Sequence, residues 1–478
     1  MRSTVVNARR VTRTVAVLLF LLDAFLGTGL VLAQTNVPSA AAASVTADGA
    51  EEPITLEQAI QIALEKNPLR KVALADQKAA TAGVKQAQSL LLPHIEFSES
   101  ATRGNDPVYV FGTKLRQQRF TVADFALNQL NTPTPISNFS SRFAGEWNLF
   151  DSFGSWKNVS RTRFMQQASA AQLERTDQEL VFRAVEAYYG VLFAEKQLDV
   201  AQQSTVAAQS MLGQAKDRFD SGLVVESDFL SAQVNAASRQ QDLIRAVNGV
   251  SMAQAELGIA LGLTAQASFK PAEALSEAKP QAASLPTIET MALSTRPDLK
   301  RIRAEQAAQE KSVGVAKSAF GPKLNAFASW ETDTRNVFTN GGNNWVGGLE
   351  LKLDLFSGGA KLANLKQQQA LQERAAAGQQ AYENQVRLEV RRAFYDFESA
   401  CQQVDVARTS SAQAQESLRI SRNRYDTGLA TMTDLLQIQQ AMTQAQTNYW
   451  NAVYQCRTSY ANLKLAEGTL NTQSLVTP

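Results

Sequence analysis

Histidine and cysteine are almost absent from this sequence. Its 478 residues include one histidine, His94, and two cysteines, Cys401 and Cys456. Metal centres need several such ligands close together. The HExxH, CxxC, GxSxG and Walker-type patterns of common enzyme sites are missing as well. We therefore expect no metal site, no cofactor and no catalytic residue, and a protein that is not an enzyme.

Long apolar runs are confined to the first residues. Arg9, Arg10 and Arg13 precede an apolar stretch over 15–32, which predicts a signal peptide over 1–33, with a membrane anchor as the alternative. No cysteine follows the predicted cleavage point, which argues against a lipid-modified N-terminus. No later segment offers the ~20 apolar residues of a membrane helix. A later membrane crossing therefore requires β-strands, since only helices and closed barrels satisfy every backbone group in lipid.

An excess of basic residues is missing too. Removing residues 1–33 takes away four arginines and one aspartate, which changes the formal net charge from +2 to about −1. Nucleic-acid binding needs a basic face, so we expect no nucleic-acid partner.

The sequence contains an internal duplication. The segment Lys216-Asp-Arg-Phe-Asp-Ser-Gly-Leu223 reappears as Arg422-Asn-Arg-Tyr-Asp-Thr-Gly-Leu429, a shift of 206 residues. Nearer the N-terminus the shift is 229, which pairs Asn67-Pro68 with Arg296-Pro297. The first repeat therefore carries 23 extra residues within a predicted exterior loop, 106–140, with a short helix around 121–130. Such self-similarity indicates one structural unit used twice.

Each repeat predicts a helix, a strand hairpin, a very long helix, a tight turn and a returning helix. Apolar or small residues follow a 4,3 spacing along the long helices, which is typical of coiled-coil packing. The predicted layout is a signal peptide (1–33), a tether (34–52), repeat 1 (53–265), a Pro/Ala-rich linker (266–286), repeat 2 (287–470) and a tail (471–478). The strands are expected at about 93–103, 139–150, 322–334 and 344–356, and the helical hairpins at about 154–262 and 357–467.

The predicted strands alternate between apolar and polar residues. Trp345, Leu349 and Leu351 share one face, whereas Glu350 and Lys352 fall on the other. A period of two fits a strand between lipid and water, although a half-buried soluble sheet has the same pattern. Four strands cannot close a barrel, for which about eight are needed. Chains must therefore pool strands; three chains supply twelve, and two or four chains stay open as alternatives.

The sequence resembles the outer-membrane efflux (TolC-type) family. The resemblance rests on the duplicated layout, on Arg296-Pro297-Asp298-Leu299, on Leu355-Phe356 and on the two Arg-aromatic-Asp-x-Gly-Leu turns. The resemblance implies a mainly α fold with a transmembrane β-barrel portion: a homotrimer whose 12-stranded barrel in outer-membrane lipid continues into a periplasmic α-helical barrel. It also implies a periplasmic adaptor and an inner-membrane pump as partners. The turns at Gly222-Leu223 and Gly428-Leu429 look like the tips that meet the adaptor, although glycine is also an ordinary helix stop.

The resemblance further assigns residues to a gate at the periplasmic mouth. Asp434 matches a member of an acidic ring, and Asp228 and Tyr425 match a polar network that holds the mouth shut. An ordinary helix N-terminal carboxylate is the alternative for Asp434. Gln437 stands at a second acidic position and Ala430 at an arginine position. These departures predict a weaker latch and weaker cation binding.

Cys401 and Cys456 lie about equally far along the chain from the turn at 427–429. An antiparallel hairpin places them at the same height, and an oxidising periplasm allows a bridge. Two buried free thiols are the alternative.

The function that we predict is passive conduction of substrate from a pump–adaptor complex to the exterior, by an outer-membrane channel of an efflux or type I export system. A periplasmic adaptor or a structural coiled coil of the envelope is the alternative. Neither of these would carry two strand–hairpin repeats.

Overall fold

The computed structural model describes residues 53–267, 269–337 and 341–471. The predicted signal peptide (1–33), the tether (34–52) and the tail beyond residue 471 lie outside the described residues. The described chain forms two compact units. The sheet unit comprises Leu92–Phe150 and Lys323–Lys352, and the helical unit comprises the remaining described residues.

Each half of the chain repeats the same series of elements. In chain order these are β1 (Pro53–Ile54), α1 (Leu56–Lys66), α2 (Pro68–Ser89), β2 (His94–Gly104), α3 (Pro107–Arg116), a 3₁₀ turn (Val122–Phe125), α4 (Leu127–Asn131), β3 (Ile136–Phe150), α5 (Gly154–Asp220), α6 (Glu226–Ala260), β4 (Lys270–Pro271), α7 (Leu285–Thr295), α8 (Pro297–Ser318), β5 (Lys323–Thr334), β6 (Gly342–Lys352), α9 (Ala360–Asp426) and α10 (Met432–Glu467).

The lengths of the elements confirm the duplication. α1 and α7 have 11 residues each, α2 and α8 have 22, and α5 and α9 have 67. The first residues of these pairs are separated by the shifts of 229 and 206 residues seen in the sequence. At 1.5 Å per residue, each 67-residue helix is roughly 100 Å long.

The core of the helical unit follows the predicted 4,3 spacing. Leu180, Ala184, Val191, Ala208 and Ala215 of α5 are all buried. Val386 and Val390 of α9, the equivalents of Leu180 and Ala184, are fully buried as well. Small residues at these positions allow the helices to approach closely, which is how the long hairpins gain stability from packing.

Arg296 fixes the start of the second half. Its side chain is 1 % exposed and forms ion pairs with Asp298 (2.5 Å) and Glu389 (2.9 Å). It also donates to the carbonyl oxygen of Ala466 (3.3 Å). A buried guanidinium is tolerated only when its charge is paired and its donors are satisfied. The Arg-Pro-Asp-Leu motif therefore ties α8 to α9 and to the end of α10. Gly468, at φ +79°, permits this approach, because a Cβ there would lie 2.8 Å from the Cα of Arg296.

The predicted linker takes part in a small sheet. Lys270 and Pro271 pair in parallel with Pro53 and Ile54. The hydroxyl of the buried Tyr188 donates to the carbonyl oxygen of Ile54 (3.1 Å). These bonds hold the linker and the start of the first repeat to α5.

The sheet unit is a four-stranded antiparallel sheet in the order β2-β3-β5-β6. Residues directly opposite one another share a face, so the pairs Phe143↔Trp330 and Arg142↔Glu331 define an apolar and a polar face. A β-bulge shifts the register between Asn148 and Phe150, and Phe150 pairs with Leu324. Phe150 therefore takes the place on the apolar face that the alternation gave to Leu149.

Two details differ from the sequence expectation. β6 ends at Lys352 opposite Lys323, the first residue of β5, so residues 353–356 lie beyond the end of β5 and are not paired with it. The 106–140 segment also contains a ten-residue helix, α3, ahead of the short helical piece that was predicted. Among the described helices, none has both the length and the apolarity needed to cross a bilayer.

Candidate functional site

The two hairpin turns have the same backbone geometry. In the first, the N–H of Leu223 donates to the carbonyl of Arg218 (2.8 Å) and that of Gly222 to Phe219 (2.9 Å). In the second, Leu429 and Gly428 make the equivalent bonds. This pair of bonds is a Schellman motif, which requires a left-handed residue. Gly222 and Gly428 supply it, at φ +72° and +76°.

The leucine that follows each of these glycines is unusually exposed. Leu223 is 75 % exposed and Leu429 is 69 % exposed. The hydrophobic residue after a Schellman glycine often packs back on the helix. Here both leucines point away from the described chain, and the two tips therefore present apolar surface.

Asp434 lies in the first turn of α10 and forms a capping box with Thr431. Its carboxylate accepts bonds from the Thr431 N–H (3.1 Å) and hydroxyl (2.7 Å). The hydrogen bonds from Thr431 lower the pKa of Asp434 below its ordinary value, so the group is ionised at neutral pH. Asp434 and Gln437 are both exposed. The carboxylate therefore caps the helix and still presents charge to solvent.

Tyr425 lies in a small hydrophobic cluster that joins the two tips. The ring is buried with Met211 and Ala215 of α5 and with Met432 and Leu435 of α10. Burial raises the pKa of its hydroxyl; the Arg218 charge opposes this rise and the Asp228 carboxylate reinforces it. The structure thus brings Tyr425 and Asp228 into one electrostatic neighbourhood.

Arg218 holds the tips together and was missed by the sequence analysis. Its guanidinium carbon lies 4.6 Å from the centre of the Tyr425 ring. It donates to the carbonyl oxygen of Tyr425 (3.2 Å) and pairs with the Asp426 carboxylate (3.3 Å). The equivalent arginine, Arg424, donates within its own turn, to the carbonyl of Leu429 (3.4 Å). The sequence shows two matching arginines and gives no sign that only one reaches across.

Cys401 and Cys456 are joined as a disulfide in the structure, with Cα atoms 4.8 Å apart. A bridge requires a Cα separation of roughly 4.4–6.8 Å. Both residues belong to the main core of the helical unit. The bridge links α9 to α10 far along the hairpin from its turn.

The sheet unit carries an uncovered apolar face. One aromatic residue from each strand, Phe97, Phe143, Trp330 and Trp345, forms a row across it. Trp345 is 82 % exposed. β2 and β6 are edge strands, so the described chain leaves both edges of the sheet unpaired.

His94 lies on the opposite, polar face of the sheet, paired with Glu146. No group of His, Cys, Asp and Glu able to hold a metal ion occurs in the described ranges.

Comparison with known proteins identifies this fold as that of outer-membrane channels. The crystal structure of the Campylobacter jejuni CmeC outer membrane channel superposes with a TM-score of 0.75 at 19 % identity, over 88 % of either chain. Outer membrane protein TolC of Escherichia coli is 26 % identical over 443 residues, which is 88 % of this chain and 83 % of that protein. The alkaline protease secretion protein AprF of Pseudomonas aeruginosa is 23 % identical over 419 residues, or 87 % and 84 %.

The family model "Outer membrane efflux protein" matches residues 59–263 and 290–469. The chain therefore belongs to the outer membrane efflux protein family, as its motifs indicated. It is an outer-membrane channel for efflux or export that extends into the periplasm, and the channels of this family are not enzymes.

Proposed function

We propose that three copies of this chain close a twelve-stranded barrel and act as the passive exit duct of an efflux or type I export machine. The observation that carries the proposal is the four-stranded sheet with two unpaired edges and an exposed apolar face. Unpaired backbone groups are too costly in hydrocarbon. The edges at β2 and β6 must therefore pair with other chains if the apolar face meets lipid.

The partners that fit this duct are a periplasmic adaptor and an inner-membrane pump. The names of relatives support a role in transport: AprF is a protease secretion protein, and another relative is a pyoverdine export outer membrane protein. We place the adaptor contact at the tips, on Gly222, Leu223, Gly428 and Leu429. Exposed apolar side chains on a rigid turn suit an interface that forms with a partner.

The gate lies beside these tips. Arg218 holds the two hairpins together through Tyr425, with Asp228 nearby. Asp434 and Gln437 line the entrance. Opening then means that the second hairpin moves away from the first and breaks the Arg218 contacts. The duct itself adds no chemistry: the pump sets the direction, and a polar lumen conducts. We also propose that residues 1–33 direct export and are removed, and that 266–286 joins the two repeats.

The experiment is purification from the outer-membrane fraction, followed by mass measurement in mild detergent and current recording in planar bilayers. We expect a particle of three chains that dissociates on heating and forms ion-conducting pores. A monomeric, water-soluble protein that forms no pores would refute the proposal. A periplasmic adaptor or structural coiled coil, the competing function, would be found outside the outer-membrane fraction.

A further inference from the structure

The extra residues of the first repeat lie in a segment that folds back over the polar face of the sheet. We call residues 107–131 the insert; it contains α3, the 3₁₀ turn and α4. α3 buries one side, Val110, Thr113 and the following Gln117, at helical spacing. The hydroxyl of Tyr109 lies 2.8 Å from that of Thr102, a polar-face residue of β2.

A buried hydrogen-bond network anchors the insert. The Gln117 amide donates to the Asn138 side chain (2.8 Å) and to the carbonyls of Ser137 (3.0 Å) and Thr334 (3.2 Å). Asn138 in turn donates to Asp333 (2.6 Å), which is fully buried. Buried polar groups are stable only when they are satisfied in this way. Release of Gln117 would leave three acceptors without this donor.

The contact between the insert and the sheet is close. Asn344 of β6 donates to the carbonyl oxygen of Arg116 (3.1 Å). A Cβ on Gly342 would lie 2.0 Å from that same oxygen, so only glycine fits at this position. Within the insert, Phe120 stacks edge-on with Phe111 and Phe125, and Lys114 pairs with Asp124 (2.7 Å). The insert is thus a folded element with its own packing, and the polar face is shaped to receive it.

We propose that the insert narrows the exterior mouth of the passage and sets the size limit for what can pass there. This inference rests on the proposed function, in which the polar face of the sheet lines the lumen. Twelve strands spaced ~4.8 Å apart and tilted by ~40° enclose a circle of roughly 24 Å between backbones. A helix with its side chains is about 10 Å wide. Three such helices, one from each copy, would occupy about half of that opening.

Cysteine labelling from outside intact cells tests the inference independently of the periplasmic gate. Glu350→Cys places a reporter on the exposed polar face, six residues further along β6 than Asn344. Val337→Cys is the matched reference, because Val337 is 54 % exposed beyond the end of β5. Each is treated with a membrane-impermeant maleimide that carries a long polyethylene glycol chain. The labelling rates are compared between the full chain and a variant in which Gly/Ser residues replace the insert.

We expect the replacement to raise the rate at Glu350→Cys by ~10-fold or more, since the constriction is removed, with no change at Val337→Cys. In the intact insert, Gln117→Ala should give a smaller rise in the same direction, whereas Gln129→Ala, a glutamine of the insert outside the network, should give none. Equal labelling rates at Glu350→Cys with and without the insert would overturn the inference about the insert, while the proposed channel function would still stand. Absence of labelling at Glu350→Cys in both, with normal labelling at Val337→Cys, would overturn the proposed function as well.

Discussion

Arg218→Ala tests whether the hairpin tips hold the channel closed. The main contacts that are lost are the stacking on the Tyr425 ring at 4.6 Å, the hydrogen bond to the Tyr425 carbonyl at 3.2 Å and the ion pair with Asp426, whose carbonyl also accepts a long bond from Arg218 (3.5 Å). Stacking contributes about 0.5–1 kcal/mol and the hydrogen bond about 1 kcal/mol. The ion pair adds little, because the Asp426 side chain is 47 % exposed.

The sum is about 2 kcal/mol for each chain. This energy favours the closed state over the open state because opening separates the two hairpins and breaks the contacts. Since 1.4 kcal/mol corresponds to a factor of ten, Arg218→Ala should raise the ratio of open to closed hairpins roughly 30-fold in each chain, and should therefore raise the open fraction of the trimeric channel by at least that factor while openings are rare. Single-channel recording in planar bilayers measures this ratio directly. Arg218→Lys keeps the charge but loses the planar stacking, so it should fall between the wild type and the alanine variant.

Arg424→Ala is the matched control. Arg424 occupies the same position in the second repeat, but it donates to Leu429 within its own turn. Its removal should leave the open fraction unchanged, and both variants should keep the heat-dissociation temperature of the trimer. If Arg218→Ala and Arg424→Ala gave the same open fraction, the contact across the hairpins would not be the latch.

Three further predictions follow. Asp434→Asn keeps an oxygen for the bond from Thr431 but loses the charge. It should weaken the block of the current by divalent cations as much as Asp434→Ala does. If the block stayed as strong as in the wild type, Asp434 would not lie at the entrance. The Cys401–Cys456 bridge closes a loop of 55 residues and contributes about 4 kcal/mol to stability in the chain-entropy model. Alanine at both positions should lower the melting temperature by about 5 °C, and a reductant should no longer change the melting temperature of this variant. Two titratable thiols in the unreduced, denatured wild type would disprove the bridge. The double variant Leu223→Asp, Leu429→Asp should abolish efflux in cells, although the trimer should still form. Methionine at both positions keeps the surface apolar and should retain efflux. If the aspartate variant retained efflux, the adaptor would bind elsewhere.

The fold was predictable from the sequence because the duplication constrains it twice. One copy of the Asp-x-Gly-Leu turn is weak evidence, but the same shift of 206 residues also relates α5 to α9 and α6 to α10. The alternation of the strands gave the two faces of the sheet correctly. It could not place the bulge near Leu149, because a bulge depends on the partner strand and the pattern of one strand contains no trace of it.

The local sequence alone was enough where a residue acts through its own helix. Gly222 and Gly428 follow from the local need for positive φ, and the Asp434 cap follows from Thr431 three residues earlier. The network of Gln117 could not be foreseen, because its partners lie 20 and 217 residues away. The helix α3 that carries it is short and contains a glycine, so its periodicity is weak.

The difference between the two tips explains why one arginine matters more than its twin. In the first repeat, Phe219 stacks on Phe229 of its own hairpin, with ring centres 5.7 Å apart. In the second, the equivalent Tyr425 is buried under Arg218 of the first repeat. The first tip is therefore complete by itself, whereas the second depends on its neighbour. We therefore expect a change that weakens the contact to free the second hairpin and to leave the first in place. In the proposed duct, the duplication would then supply both the fixed and the moving part of one gate.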